Sequence, residues 1–128
     1  MGFAVGGVGV IDASQVILDG VLYSVKSARV NATASGNTQI IAAVAAKKIV
    51  LLAWNVGPAS AAVTVTIQDA NGTPVVLAGP FACAANGGTN NSDYKEYDTE
   101  ATSATAINVN LSGAITGCPV TVWYVEKA

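Results

Sequence analysis

Apolar and polar side chains alternate with a period of two along much of this chain. Val63, Val65 and Ile67 alternate with Thr64, Thr66 and Gln68, and Ile107, Val109 and Leu111 alternate with Ala106, Asn108 and Asn110. That period places one set of side chains on each face of an extended backbone, so both runs predict antiparallel strands with one buried and one wet face. The run Val120–Val125 alternates in the same way, except that Trp123 makes its second face apolar too. Ile49-Val50-Leu51-Leu52-Ala53-Trp54-Asn55-Val56 is apolar on both faces. It reads as a central strand, or as one whose outer face meets a neighbour.

Turn chemistry separates these runs. Asn71-Gly72 between Ile67 and Val75 is a strong hairpin signal, because both residues tolerate positive φ. Gly57-Pro58, Gly79-Pro80, Asn86-Gly87-Gly88 and Ser112-Gly113 mark further reversals, and Pro119 falls where a strand can do without one N–H. Ile41–Ala46 would tolerate helix, but its length and flanks favour a strand running into a turn at Ala46-Lys47. The predicted strands are 21–30, 38–45, 47–56, 62–68, 74–78, 80–85, 105–111 and 119–126. About eight short strands with regular turns specify an all-β fold, an antiparallel β-sandwich or jelly roll. It is expected as one domain over 13–128. Residues 1–12 read as an extended glycine-rich arm, and 86–104 as a polar irregular loop, long enough to suggest function or mobility.

Charge changes this picture. Only 11% of residues are charged, against about 25% in an ordinary domain. So few charges do not cover the surface of a fold this size, and part of it is expected to be covered by copies of the chain or by a larger assembly. Six basic and eight acidic residues give a net charge of −2, and only Lys47-Lys48 are adjacent basic residues. Nucleic acid is therefore not an expected partner, since phosphate recognition needs clustered Lys and Arg. No apolar run approaches the ~20 residues that span a bilayer, so no membrane partner is expected. The start of the chain lacks a positive n-region and a continuous apolar stretch, and the chain reads as made and left in a cytoplasm. With no export signal, Cys83 and Cys118 read as reduced, buried thiols, pairing only if the fold brings them together.

The candidate chemistry is sparse. There is no histidine, so neither a Ser–His nor a Cys–His pair can form. Asp93, Glu96, Asp98 and Glu100 form the one acidic cluster. A glycosidase pair needs one carboxyl held protonated in a cleft, whereas these are expected to stay ionised in solvent. A loose Ca²⁺ site would use the same oxygens, but the EF-hand spacing is absent. No cofactor, no metal site and no enzymatic activity are expected. Tyr94 and Tyr97 bracket the acids. They read either as contact anchors or as rings packed back onto the sandwich, which leaves Asp93, Tyr94, Glu96, Tyr97 and Asp98 as a candidate partner-contact loop.

One stretch points further. Ala34-Ser35-Gly36-Asn37-Thr38-Gln39-Ile40-Ile41 followed by Ala45-Ala46-Lys47-Lys48-Ile49-Val50-Leu51-Leu52 resembles the opening of a family of small β-sandwich virion proteins of tailed bacteriophages. Ala62–Thr66, Leu77-Ala78-Gly79-Pro80, Ala84–Gly88, Thr102–Ser112 and the closing Tyr124-Val125-Glu126 are similar to that family as well, so the resemblance covers about residues 30–126. It implies a structural virion protein, either a capsid decoration (cement) protein or an appendage domain, with no catalytic residues. A decoration protein would sit on the capsid surface as a homo-oligomer, a trimer being slightly preferred over a dimer, with the major capsid protein as its partner. The arm would then supply the contacts: its glycines let it follow an irregular surface, while Phe3, Val5, Val8 and Val10 plug shallow pockets. The alternative is a receptor- or glycan-binding module of a tail or head fibre, using the 86–104 loop.

Overall fold

The structure, a computed structural model, describes residues 15–91 and 100–128. The described residues are all-β, with no helix among them and with two antiparallel sheets packed as a sandwich. One sheet has the order β3 (Lys26–Ala32), β10 (Cys118–Lys127), β5 (Lys48–Val56), β8 (Thr89–Asn91). The other has the order β4 (Gly36–Ile41), β9 (Ile107–Leu111), β6 (Val63–Asp69), β7 (Val76–Cys83). A separate two-stranded hairpin, β1 (Gln15–Leu18) and β2 (Val21–Ser24), precedes them.

The alternating runs do what their period dictates. Val63, Val65 and Ile67 of β6 and Ile107, Val109 and Leu111 of β9 point inward and meet Val120, Val122 and Tyr124 of β10 across the core. β5 lies between β10 and β8, which settles it as a central strand. Its register contains a bulge: Ala53 pairs with Trp123 and Leu51 with Tyr124, so Leu52 is one residue in excess. An extra residue reverses the alternation. Ile49 and Leu51 face the inter-sheet core on one side of it and Trp54 and Val56 on the other, while Val50 and Leu52 point out of the sandwich.

Those outward side chains are covered by the chain itself. Val50, Leu52 and Val125 form a second apolar cluster with Leu18, joined by Val16, Tyr23 and Val25. The cover is the β1–β2 hairpin, turned by Asp19 (φ 52°) and Gly20 (φ 76°), with Leu18 paired to Val21 on either side. Two successive positive φ values define the tight turn whose twist suits a hairpin, and Asp-Gly is among the pairs that adopt it most readily. The expected strand 21–30 is therefore two strands that break at Val25, and β1 is an additional strand.

Other boundaries also move. The strand expected at 38–45 ends at Ile41, and Ala46 (φ 61°) makes the turn expected before Lys48. The strands expected at 74–78 and 80–85 are one strand, β7, which crosses Gly79-Pro80 with shifts of register against β6. The hairpin expected at Asn71-Gly72 is present, but its connection spans residues 70–75 and neither residue has positive φ.

Asp69, fully buried at the end of β6, holds that connection. Its carboxylate accepts from the Asn71 N–H (3.1 Å) and the Val75 N–H (2.9 Å) through one oxygen and from the Thr102 N–H (2.8 Å) through the other. Burial pushes this carboxyl up, but the hydrogen bonds from Thr102, Val75 and Asn71 outweigh it and hold the group below the ordinary carboxylate range. One side chain thus ties the β6–β7 turn to the segment preceding β9. Replacing Asp69 by Ala is expected to cost about 3 kcal/mol, because buried amides lose their acceptor. Because the folded-state pKa is depressed, the contribution is complete above the unfolded value of ~3.9 and is lost as pH falls through the folded value. Denaturant melts of wild type and Asp69→Ala between pH 7 and pH 2 check this: the gap between them should close on acidification.

Candidate functional site

The residues that sequence reasoning singled out as contacts, Phe3, Val5, Val8 and Val10 of the arm and Asp93, Tyr94, Glu96, Tyr97 and Asp98 of the loop, lie outside the described residues. The region 86–104 is not one irregular loop. It contains β8, which pairs with β5 from Trp54 to Val56. Its last residues are pinned by backbone bonds, Ala101 N–H to Ile49 C=O (3.0 Å) and Ala104 N–H to Lys47 C=O (2.8 Å). Glu100, counted with the acids expected to sit in solvent, is instead ion-paired. It meets Lys127 and, at 3.7 Å, Lys48. The hydrogen bond from Lys127 holds the Glu100 carboxyl below its usual range, against a smaller opposing effect of burial.

This pairing belongs to a larger asymmetry. Lys127 also bonds Asp19 at the hairpin turn (2.9 Å), and Lys26 bonds Glu126 (3.0 Å). Hydrogen bonds to Glu100 and then to Asp19 raise the Lys127 ammonium pKa. Lys47, Lys48, Asp69 and Glu100 stand at the same end of the sandwich, where β5 begins and β10 finishes. Arg29 lies midway along β3.

Among the described residues the opposite end carries no charge. It is built from residues 33–36, 57–62, 84–88 and 112–117, nearly all Gly, Ala, Ser, Thr and Asn. Backbone bonds knit these pieces together: Ala59 N–H to Gly87 C=O (2.9 Å), Asn86 N–H to Ala59 C=O (2.7 Å), Ser60 N–H to Gly117 C=O (2.8 Å) and Ile115 N–H to Thr33 C=O (2.9 Å). The packing leaves no room for side chains at the centre. Gly57 has φ 98°, and a Cβ there would stand 2.7 Å from the Gly87 oxygen, while one on Gly88 would collide with the Val56 oxygen.

Among the described residues the outer face of the β4-β9-β6-β7 sheet is also uncharged. Register places Asn37, Asn110 and Thr66 in one row and Gln39, Asn108 and Gln68 in the next. Asn37 Oδ1 accepts from Asn110 Nδ2 (2.8 Å) and Gln68 Nε2 (3.3 Å), so the amides fix one another across three strands. The polar half of the alternation seen in the sequence is this face. What the sequence hid was that the charges gather elsewhere.

Cys83 and Cys118 are buried, free thiols, as expected. Burial raises both, and Cys118 is raised further by its proximity to Cys83, so neither is an activated nucleophile. Among the described residues no group of three or more His, Cys, Asp or Glu could hold a metal ion, and no helix is long and apolar enough to cross a membrane. Trp54 is an inter-sheet packing residue, its ring 5.7 Å from that of Phe81 and tilted by 32°.

Comparison of the chain with protein-family models, curated proteins and solved structures yields no match.

The thiols offer a direct check on this assignment. Both should react with a charged disulfide reagent at least ~tenfold more slowly in the native protein than in denaturant. Labelling of either at an unfolded-state rate under native conditions would show an accessible, reactive cysteine.

Proposed function

We propose that this protein is a structural component of a bacteriophage virion: a capsid decoration, or cement, protein that binds and stabilises the head shell as a homo-oligomer. The observation that carries this reading is the distribution of charge. The described ionic side chains are mostly paired with one another and gathered at one end, so that among the described residues the other end and the outer face of one sheet are neutral. Neutral, hydrogen-bonding surfaces of small residues lose little solvation energy when another protein covers them, whereas each unpaired charge would cost several kcal/mol. A shell decorator repeats one contact many times, so each copy can bind weakly and the assembly strongly. The resemblance over residues 30–126 to small phage β-sandwich proteins points the same way. So does the poverty of reactive groups, since a cement protein needs a rigid surface and no catalyst.

The test is co-sedimentation of the purified protein with empty heads assembled from the shell protein of the same phage. Saturable binding in many copies per head, and heads that resist heating or low salt better when coated, are the expected results. A monomer at all concentrations that leaves heads unbound, or specific retention on a glycan array, would replace this reading with the fibre-module alternative or with neither.

A further inference from the structure

The β1–β2 hairpin has a second apolar face, and we propose that it is the contact through which one copy of this chain meets another. The proposal rests on the homo-oligomer part of the proposed function and names its surface. Register pairs Ile17 directly with Leu22 and Val16 with Tyr23. In an antiparallel ribbon, opposite residues share a face and neighbours along a strand alternate. Val16, Leu18 and Tyr23 face the sandwich and pack on Val50, Leu52 and Val125. Ile17 and Leu22 therefore project the other way, and they are 70% and 59% exposed. Val21, paired with Leu18, shares the inner face and is half exposed only because it stands at the hairpin tip. Among the described residues the remaining large exposed hydrophobic is Val76, so these side chains concentrate on one ribbon.

A ribbon greasy on both faces is stable only when both are covered. The occupant of the outer face is argued from charge and from area. The other residues of that face are Gln15 and Ser24, paired with each other and uncharged. The charges that flank the ribbon in sequence, Asp19 and Lys26, are bound within the same chain by Lys127 at 2.9 Å and by Glu126 at 3.0 Å. A face with no free charge does not repel its own copy, and Ile17 against Leu22 across a twofold axis is self-complementary. A highly charged partner would find nothing to bind. The patch is also small: two apolar side chains, Ile17 and Leu22, fall short of the ~800 Å² per partner of a standard stable interface. It fits a weak contact made between many copies held on a common support rather than a permanent dimer.

The experiment uses the full chain. Sedimentation velocity across a concentration series should show the mass of wild type rising with concentration. The double substitution Ile17→Ser and Leu22→Ser should shift the midpoint to at least ~tenfold higher concentration, while Val76→Ser leaves it in place. If wild type associates and the double variant associates equally well, the hairpin is not the contact, although self-association stands. If wild type stays monomeric throughout, self-association itself fails; cover by the chain's own residues 1–14, or by the shell protein alone, then takes its place. Should the double variant misfold, amide exchange in wild type decides the matter. Protection of residues 15–24 should rise with concentration, and an association that leaves their exchange unchanged overturns the proposal.

Discussion

A strand without a polar face has to be covered twice, and β5 is such a strand. Its inward residues meet the opposite sheet, as in any sandwich. Its bulge at Leu52 sends Val50 and Leu52 outward as a pair, beside Val125 of β10. Left in water, each such side chain would forgo about 1.5–3 kcal/mol of burial. The hairpin is the molecule's answer, and its inner face is apolar for that reason. The hairpin in turn has few bonds to the rest of the chain, since its two strands pair with each other and not with either sheet. It is held by apolar contact from below and by the Asp19–Lys127 ion pair at its tip. The architecture is thus a sandwich plus a lid, and the lid exists because of β5.

The second ordering principle is where charge is allowed. The ionic residues tie together structural ends: Lys127 links the last strand to the hairpin turn and to Glu100, and Lys48 joins the same group. Asp69 does the equivalent job below the surface, with backbone amides as partners. Exposed ion pairs of this kind are worth little individually. Their effect here is topological, because they hold the segment before β9 and the hairpin against the same edge. Among the described residues Arg29 is the charge that stands away from that edge, and the opposite end and the β4-β9-β6-β7 face are left neutral.

Much of this was legible in the sequence, and the failures are instructive. Period-two runs such as Val63–Gln68 and Ile107–Leu111 became the strands they predicted, because local alternation and core geometry agree there. The hairpin was missed although Asp19-Gly20, between two apolar runs, is a strong turn signal; the run after it, continuous to Val30, masked the break at Val25. Gly79-Pro80 reads as a strand break because both residues usually are, yet β6 supplies enough pairing on either side to carry the strand through with a shift in register. Asp69 falls one residue beyond the strand expected at 62–68. Its role depends on amides two, six and thirty-three residues away, and no local pattern encodes the longest of these. Glu100 was grouped with its acidic neighbours in sequence, but its partners come from β5 and β10. The apolar arm residues and the acid–tyrosine loop, by contrast, lie outside the described residues.

The two tryptophans stand on opposite sides of one sheet. Trp54 lies within the core against Phe81, whereas Trp123, one of its neighbours on β10, is half-buried on the outer surface. The molecule therefore carries two optical probes with different surroundings, one shielded from aqueous quenchers and one open to them. Loss of the sandwich interior and occlusion of the exterior would alter different components of the emission, so that a docking event and a melting event can be told apart in a single cuvette without any added label.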